Sequence, residues 1–180
     1  MKQQTVRNPD DPPIAGASPP GGSATIMRDD KPITILLVDD DADCRLLIRD
    51  AIADCKVSNE VVEAKNGVEA LKLLRREDGY RDAPRPGLIY MDIEMPGMDG
   101  IETLRHIKDD PNLRDIPVVM MTGVSDKEQM HRAAMLGANS YTIKPASAEA
   151  FLRTVLASTN YWLTIHQYPE RHLPAPLCRR

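Results

Sequence analysis

Ile33-Thr34-Ile35-Leu36-Leu37-Val38-Asp39-Asp40-Asp41 sets an apolar, β-branched run directly against three carboxylates, and Leu88-Ile89-Tyr90-Met91-Asp92 repeats the arrangement with one. Both runs are too short for helices and apolar on both phases, the pattern of strands buried on both faces of a parallel sheet. In such sheets ligands bind outside the carboxyl ends of the strands. If the two runs are neighbours, three or four carboxylates converge at one edge. Such a cluster repels itself unless a hard divalent cation occupies it, and Mg²⁺ held by a few carboxylates keeps positions open for phosphate oxygens. The two stretches together point to a Mg²⁺ and phosphoryl site.

Two further apolar runs end in complementary chemistry. Ile116-Pro117-Val118-Val119-Met120-Met121 leads into Thr122-Gly123, and Asn139-Ser140-Tyr141-Thr142-Ile143 leads into Lys144-Pro145. A hydroxyl and an ammonium beside a carboxylate-bound cation would bind the remaining oxygens of a phosphoryl group. Between the runs the apolar period changes to helical. A first helix is expected over 42–53 with Leu46, Leu47, Ala51 and Ile52 inward, and a second strand over 57–64, closed by Asn66-Gly67. A second helix over 68–76 buries Leu71 and Leu74, and 77–87 is a loop. Ile101, Leu104 and Ile107 mark a third helix, and 109–115 a further loop. A fourth helix over 126–135 stops at Gly137, and Ser147 caps a fifth that buries Phe151, Leu152, Val155 and Leu156. Five alternations of strand and helix describe a doubly wound α/β domain.

The ordered set Leu37-Val38-Asp39-Asp40, Met91 through Gly100 (Met-Asp-Ile-Glu-Met-Pro-Gly-Met-Asp-Gly), Met121-Thr122-Gly123 and Ile143-Lys144-Pro145 resembles the receiver domain of two-component response regulators. The resemblance spans roughly residues 32–158. It implies a flavodoxin-like, five-stranded parallel sheet in the order 2-1-3-4-5, with its switch point between the first and third strands. It makes Asp92 the phosphoacceptor, Asp40 a direct Mg²⁺ ligand and Asp39 a ligand through water, with Asp92 and the backbone carbonyl of Glu94 completing the protein ligands. Thr122 and Lys144 would hold phosphoryl oxygens, and the Lys144-Pro145 bond would be cis. Asp41 has no such role and reads as the cap of the first helix. Glu94 and Val124 would flank the path of a hydrolytic water. Tyr141 stands at the aromatic switch position. Two readings of it remain open, a switch that follows Thr122 inward and a static, half-buried strand tyrosine. His106 and His131 fall within helices as ordinary surface histidines.

The chain has 180 residues and a formal net charge of −4, and lacks the basic patch a nucleic-acid surface needs. It shows neither a membrane span nor a signal peptide. Cys44 and Cys55 lie roughly 16 Å apart along a helix, beyond the ~7 Å a disulfide allows. With Cys178 in the tail, the thiols read as reduced and the protein as cytoplasmic. Residues 1–31, rich in Pro, Gly and Ser, form an expected disordered leader. Residues 32–158 form the receiver and 159–180 an extension. Of the one Trp, five Tyr and one Phe in the chain, Tyr161, Trp162 and Tyr168 lie in that extension. Read as an extended segment with apolar residues on both phases, Tyr161, Trp162, Leu163, Ile165 and Tyr168 suggest a homodimer or partner interface. The alternative is a segment folded back on its own domain.

The loop before the fourth strand, the lack of an output domain and this tail resemble the stand-alone regulators paired with phytochrome kinases. The expected partner is therefore a sensor histidine kinase, and the narrower resemblance implies a phytochrome. The expected output is a switched protein surface, or onward transfer to a histidine phosphotransfer protein in a phosphorelay. A haloacid-dehalogenase-type phosphatase would need a second Asp two residues after Asp92, where Glu94 stands. An FMN carrier would place its phosphate against Asp39-Asp40-Asp41, which repel it.

Overall fold

The structure, a computed structural model, describes residues 32–53, 59–123 and 126–164. Five strands and five helices alternate along them: β1 (Thr34–Val38), α1 (Ala42–Ala53), β2 (Glu60–Ala64), α2 (Gly67–Arg75), β3 (Leu88–Asp92), α3 (Gly100–Asp109), β4 (Val118–Thr122), α4 (Lys127–Met135), β5 (Ser140–Ile143) and α5 (Ala148–Thr164). All strand pairs are parallel, in the order β2-β1-β3-β4-β5. The expected doubly wound fold and strand order are both present.

The two-residue period of each buried strand divides the core in two. Leu36, Val38, Ile89, Met91, Val118 and Met120 face α2, α3 and Ala133 of α4. Ile35, Leu37, Leu88, Tyr90, Val119 and Met121 face α1 and α5. Central strands β3 and β4 are buried along their whole length, which is why their sequences lack the polar alternation of a one-faced sheet. Helix starts are fixed by side chains that accept free backbone amides: Asn66 from Glu69 N at 2.8 Å, Asp99 from Glu102 N at 2.7 Å and Asp126 from Glu128 N at 2.8 Å. Gly137, at φ +89, turns the chain out of α4 as expected.

Three expectations are corrected. Leu46 does not pack inward: it is 44% exposed, and α1 buries Cys44 and Ile48 along with the expected Ala51 and Ile52. No peptide among the described residues is cis, so Lys144-Pro145 is trans. The third concerns the extension. Helix α5 does not stop near Ser158 but continues to Thr164. No Gly or Pro interrupts it, and Phe151, Val155, Thr159 and Trp162 fall at i, i+4, i+8 and i+11, one helical stripe, all buried. Trp162 is 4% exposed within the core shared by α1 and α5, so it is a packing residue of its own domain and not a free interface aromatic. The period is helical where an extended segment was expected, and the fold-back alternative holds for this turn. Tyr161 remains on the outside, 48% exposed, edge-on to the Trp162 ring at 5.4 Å. Ile165 and Tyr168 lie outside the described residues, as do Val124, Cys55, Cys178 and the side chain of Leu163.

The stripe is anchored by hydroxyls. Tyr90 of β3 donates to Ser158 Oγ at 3.0 Å, and its oxygen lies 3.0 Å from Thr159 Oγ1, a residue with no exposed surface. A buried hydroxyl left without a partner costs about 1–3 kcal/mol, so this pairing favours the extended helix. Trp162→Ala should lower stability in urea unfolding by about 3–5 kcal/mol, the usual range for a buried Trp or Phe. Tyr161→Ser, on the exposed side of the same turn, should cost clearly less than Trp162→Ala in the same series.

Candidate functional site

Strand β1 pairs with β2 on one side and β3 on the other, so the chain leaves β1 and β3 toward opposite faces and opens a crevice at their carboxyl ends. Asp39 follows β1 and Asp92 ends β3. Ligand oxygens of Asp39, Asp40 and Asp92 lie within 4.8 Å of one another. Asp39 is 1% and Asp92 6% exposed, whereas Asp40 faces solvent. The residues singled out from the two opening stretches are thus brought together. Asp41 behaves as expected of a cap, accepting from Asp43 N at 2.9 Å.

Lys144, just past edge strand β5, reaches back over the sheet. Its Nζ lies 2.6 Å from Asp39 Oδ2 and 3.0 Å from Asp92 Oδ1. Backbone register makes this reach possible: Thr122 pairs with Ile143, and Lys144 N donates to Thr122 O at 2.6 Å. Burial pulls the lysine's pKa down, but the hydrogen bond to Asp39 and the charges of Asp92 and Asp39 outweigh it and raise it. The Asp92 pKa is raised as well, which for a carboxylate disfavours the charged form. Burial, with Asp39 adding to it and Lys144 opposing, pushes it up to about 6. Its Oδ1 also accepts from Ile93 N at 3.0 Å, which holds the carboxylate at the strand end.

Close approach of α3 fixes the end of β3. A Cβ on Gly100 would stand 2.0 Å from Asp92 O, so the first residue of the helix can be only glycine without displacing the strand end. Thr122 is buried at the end of β4. The Tyr141 ring packs on the core cluster of α2 and α3. Its hydroxyl is buried without a partner of good hydrogen-bond geometry among the described residues. Burial raises its pKa, and Thr122 is near enough to draw it partly back. Glu94 is exposed in the turn after β3; His131 is exposed and His106 half-buried, both remote in role from the carboxylates.

Three hard oxygen donors, two of them shielded from water and sharing one ammonium, fit a divalent cation such as Mg²⁺ or Mn²⁺. Asp39, Asp40 and Asp92 would hold it, and when bound it would neutralise charge on phosphoryl oxygens. Lys144 stands beside Asp92 as a fixed positive charge, 3.0 Å from its Oδ1.

Sequence reasoning missed two neighbours of this cluster. Cys44, a buried free thiol, sits close enough to Asp39 and Lys144 to feel both; burial, then the Asp39 hydrogen bond, pushes it up to about 12, which makes it inert. Arg45 donates from Nη1 to Asp39 O at 2.7 Å and from Nε to Glu63 Oε2 at 2.9 Å. Its position in the first turn of α1, six residues after Asp39, was the available signal.

The raised pKa of Asp92 has a measurable consequence. Because it is higher in the folded chain than the ordinary 3.8, the folded state binds the proton more tightly. The charged form therefore costs stability in full above about pH 6, and the cost fades as pH falls toward 3.8. In EDTA at pH 7.5, Asp92→Asn should be more stable than the parent by roughly 1–3 kcal/mol, since a tenfold change in proton affinity is worth ~1.4 kcal/mol. The gap should narrow on going to pH 5 in the same denaturation series.

Comparisons with known proteins agree with this geometry. The response regulator receiver domain family matches residues 35–156. The chain is 30% identical over 132 residues to the response regulator Rcp1 of Synechocystis sp., covering 73% of this chain and 90% of that protein. It superposes on the phosphorylated cyanobacterial phytochrome response regulator RcpA with a TM-score of 0.75 at 34% identity, covering 78% of this chain and 100% of the other. The Mn²⁺-bound form of Rcp1 gives 0.74 at 29% identity, covering 77% and 100%. With strand order, switch-point carboxylates and bridging lysine all in place, this chain belongs to the response regulator receiver domain family and is related to the phytochrome response regulators.

Proposed function

We propose that the protein accepts a phosphoryl group on Asp92 from a phosphohistidine of a sensor histidine kinase, and so switches a protein-binding surface. The observation that carries this reading is the single ammonium of Lys144 spanning Asp39 and Asp92 at 2.6 and 3.0 Å, inside a triad of carboxylates. In the transfer, an Asp92 carboxylate oxygen attacks phosphorus, the phosphorus–nitrogen bond breaks, and the imidazole nitrogen keeps the electron pair. The product is an acyl phosphate. Lys144 and the Thr122 hydroxyl take phosphoryl oxygens, and Asp39, Asp40, Asp92 and the Glu94 carbonyl would hold Mg²⁺. By analogy with Rcp1 and RcpA, the kinase is of the phytochrome class. The chain is a signalling module that acts only on its own phosphorylation state, not a turnover enzyme.

Tyr141 is the readout we assign to this event. Movement of Thr122 toward a phosphoryl group opens space beneath it for the buried Tyr141 hydroxyl, and alters the surface of α4, β5 and α5. That surface carries exposed Met135, Ile143 and Tyr161. We assign homodimerisation to it and to the extension, with Tyr161 rather than Trp162 as its aromatic. Light scattering should give a dimer for the full chain and a shift toward monomer for Tyr161→Arg, with no shift disproving the assignment.

Acetyl phosphate with Mg²⁺ should add one phosphoryl group by intact mass to the parent and none to Asp92→Asn; labelling of that variant would refute the acceptor. Saturating Mg²⁺, at about 100 times its dissociation constant, should stabilise the parent by about 2.7 kcal/mol in urea unfolding, and EDTA should remove the gain. Incubation of the labelled protein with a histidine phosphotransfer domain distinguishes a terminal switch, which keeps the label, from a shuttle in a relay, which loses it.

A further inference from the structure

Arg45 ties its guanidinium directly to the backbone of the carboxylate loop. Its side chain is 16% exposed. Nη1 donates to Asp39 O at 2.7 Å, and Nε donates to Glu63 Oε2 at 2.9 Å. Glu63 is a β2 residue in register with Leu37, two residues before Asp39 on the neighbouring strand. Its other oxygen lies 3.3 Å from Nη1 of Arg49, a half-exposed arginine one helical turn further on. The backbone continues the connection, since Asp39 N donates to Ala64 O at 3.1 Å.

The Asp39 carbonyl belongs to the peptide that joins Asp39 to Asp40. Pinning its oxygen fixes the rotation of that peptide plane, and with it the direction in which the Asp40 Cα–Cβ bond leaves the chain. Asp39 is held independently, by Lys144 and by the amide of Asp41, which donates to Asp39 Oδ1 at 2.9 Å. Asp40 is exposed and takes its direction from the backbone. A planar fork that reaches two acceptors at once is suited to this task, and a lysine is not.

We propose that the Arg45–Glu63 pair is a positioning device for the cation site: Glu63 aims Arg45, and Arg45 sets the Asp39–Asp40 peptide so that the Asp40 carboxylate converges with Asp39 and Asp92. This rests on the reading that the three carboxylates hold a divalent cation. The sign of its effect separates it from simple electrostatics. A fixed positive charge near a dication site opposes binding, so removing Arg45 should tighten binding if charge were its whole contribution. Removing a group that orients a ligand loosens it, commonly by about 10–100-fold.

Mn²⁺ alone is the probe, with the free ion counted by electron paramagnetic resonance on the full chain. Arg45→Gln should weaken Mn²⁺ binding by about tenfold despite the loss of a repelling charge. Arg45→Lys keeps the charge, loses the fork and should also weaken binding. Glu63→Gln should weaken it, and the double variant Arg45→Gln/Glu63→Gln should bind no more weakly than Arg45→Gln alone, because Glu63 acts through Arg45. Arg49→Gln, which removes the same charge without touching the Asp39 carbonyl, should leave affinity unchanged or slightly tighter. Urea unfolding in EDTA shows that each variant is folded, and Arg45→Lys carries the test if Arg45→Gln does not fold. If the parent binds Mn²⁺ and the Arg45 variants bind it equally or more tightly, the positioning role is overturned while the cation site stands. If the parent itself shows no saturable binding, the cation reading fails and this inference fails with it.

Discussion

Three carboxylates meet one ammonium at the carboxyl edge of this sheet, and the resulting charge imbalance governs the rest of the site. Two of the acids are nearly out of solvent, so their repulsion is weakly screened. Lys144 answers part of it by bridging Asp39 and Asp92. The remaining negative charge makes the crevice attractive to cations. A doubly wound sheet with a topological break between β1 and β3 is the scaffold that places these acids side by side. Their mutual cost is tolerated because the apolar faces on either side are fully packed.

Packing also sets the precision of the arrangement. Gly100 lets α3 press against the carbonyl of Asp92, and a Cβ on Gly67 would meet Thr103 Oγ1 at 2.0 Å, so α2 and α3 touch at their first turns. Strand β3 is thus clamped from the α2–α3 side by helix starts and from the other side by the long stripe of α5. Thr122 is buried and Tyr141 half-buried, and Lys144 is held by charge and hydrogen bonding to Asp39 and Asp92.

Asp39, Asp40, Asp92, Thr122 and Lys144 are legible in the sequence because each ends an apolar run, and in a parallel sheet that position alone delivers a side chain to the shared edge. The strand order follows from the family resemblance, not from the pattern. The last turn of α5 is hard to read because a short run with Tyr161, Trp162, Leu163 and Ile165 fits either an extended or a helical period. Only the addition of Thr159, a polar residue at a core position, reveals the stripe. Its hydroxyl is acceptable there because Tyr90 supplies a partner 69 residues away, a pairing no local pattern encodes. Leu46 shows the reverse difficulty, an apolar residue on the outer side of α1. Arg45 and Glu63 are hidden for a similar reason, since their meeting depends on β1–β2 register.

The Tyr90–Thr159 and Lys144–Asp39 contacts, at separations of 69 and 105 residues, also bear on how the protein comes into being. Contacts this distant in the chain close late, after the loop entropy between them has been spent. A nascent chain that has delivered only β1 through β4 from the ribosome still holds an unbalanced pair of acids and an uncovered face of β3. Lys144 must emerge to balance the first, and the turn around Trp162 to cover the second. A balanced carboxylate cluster and a closed core therefore both wait for the last part of the domain, and a truncated product would be left with neither.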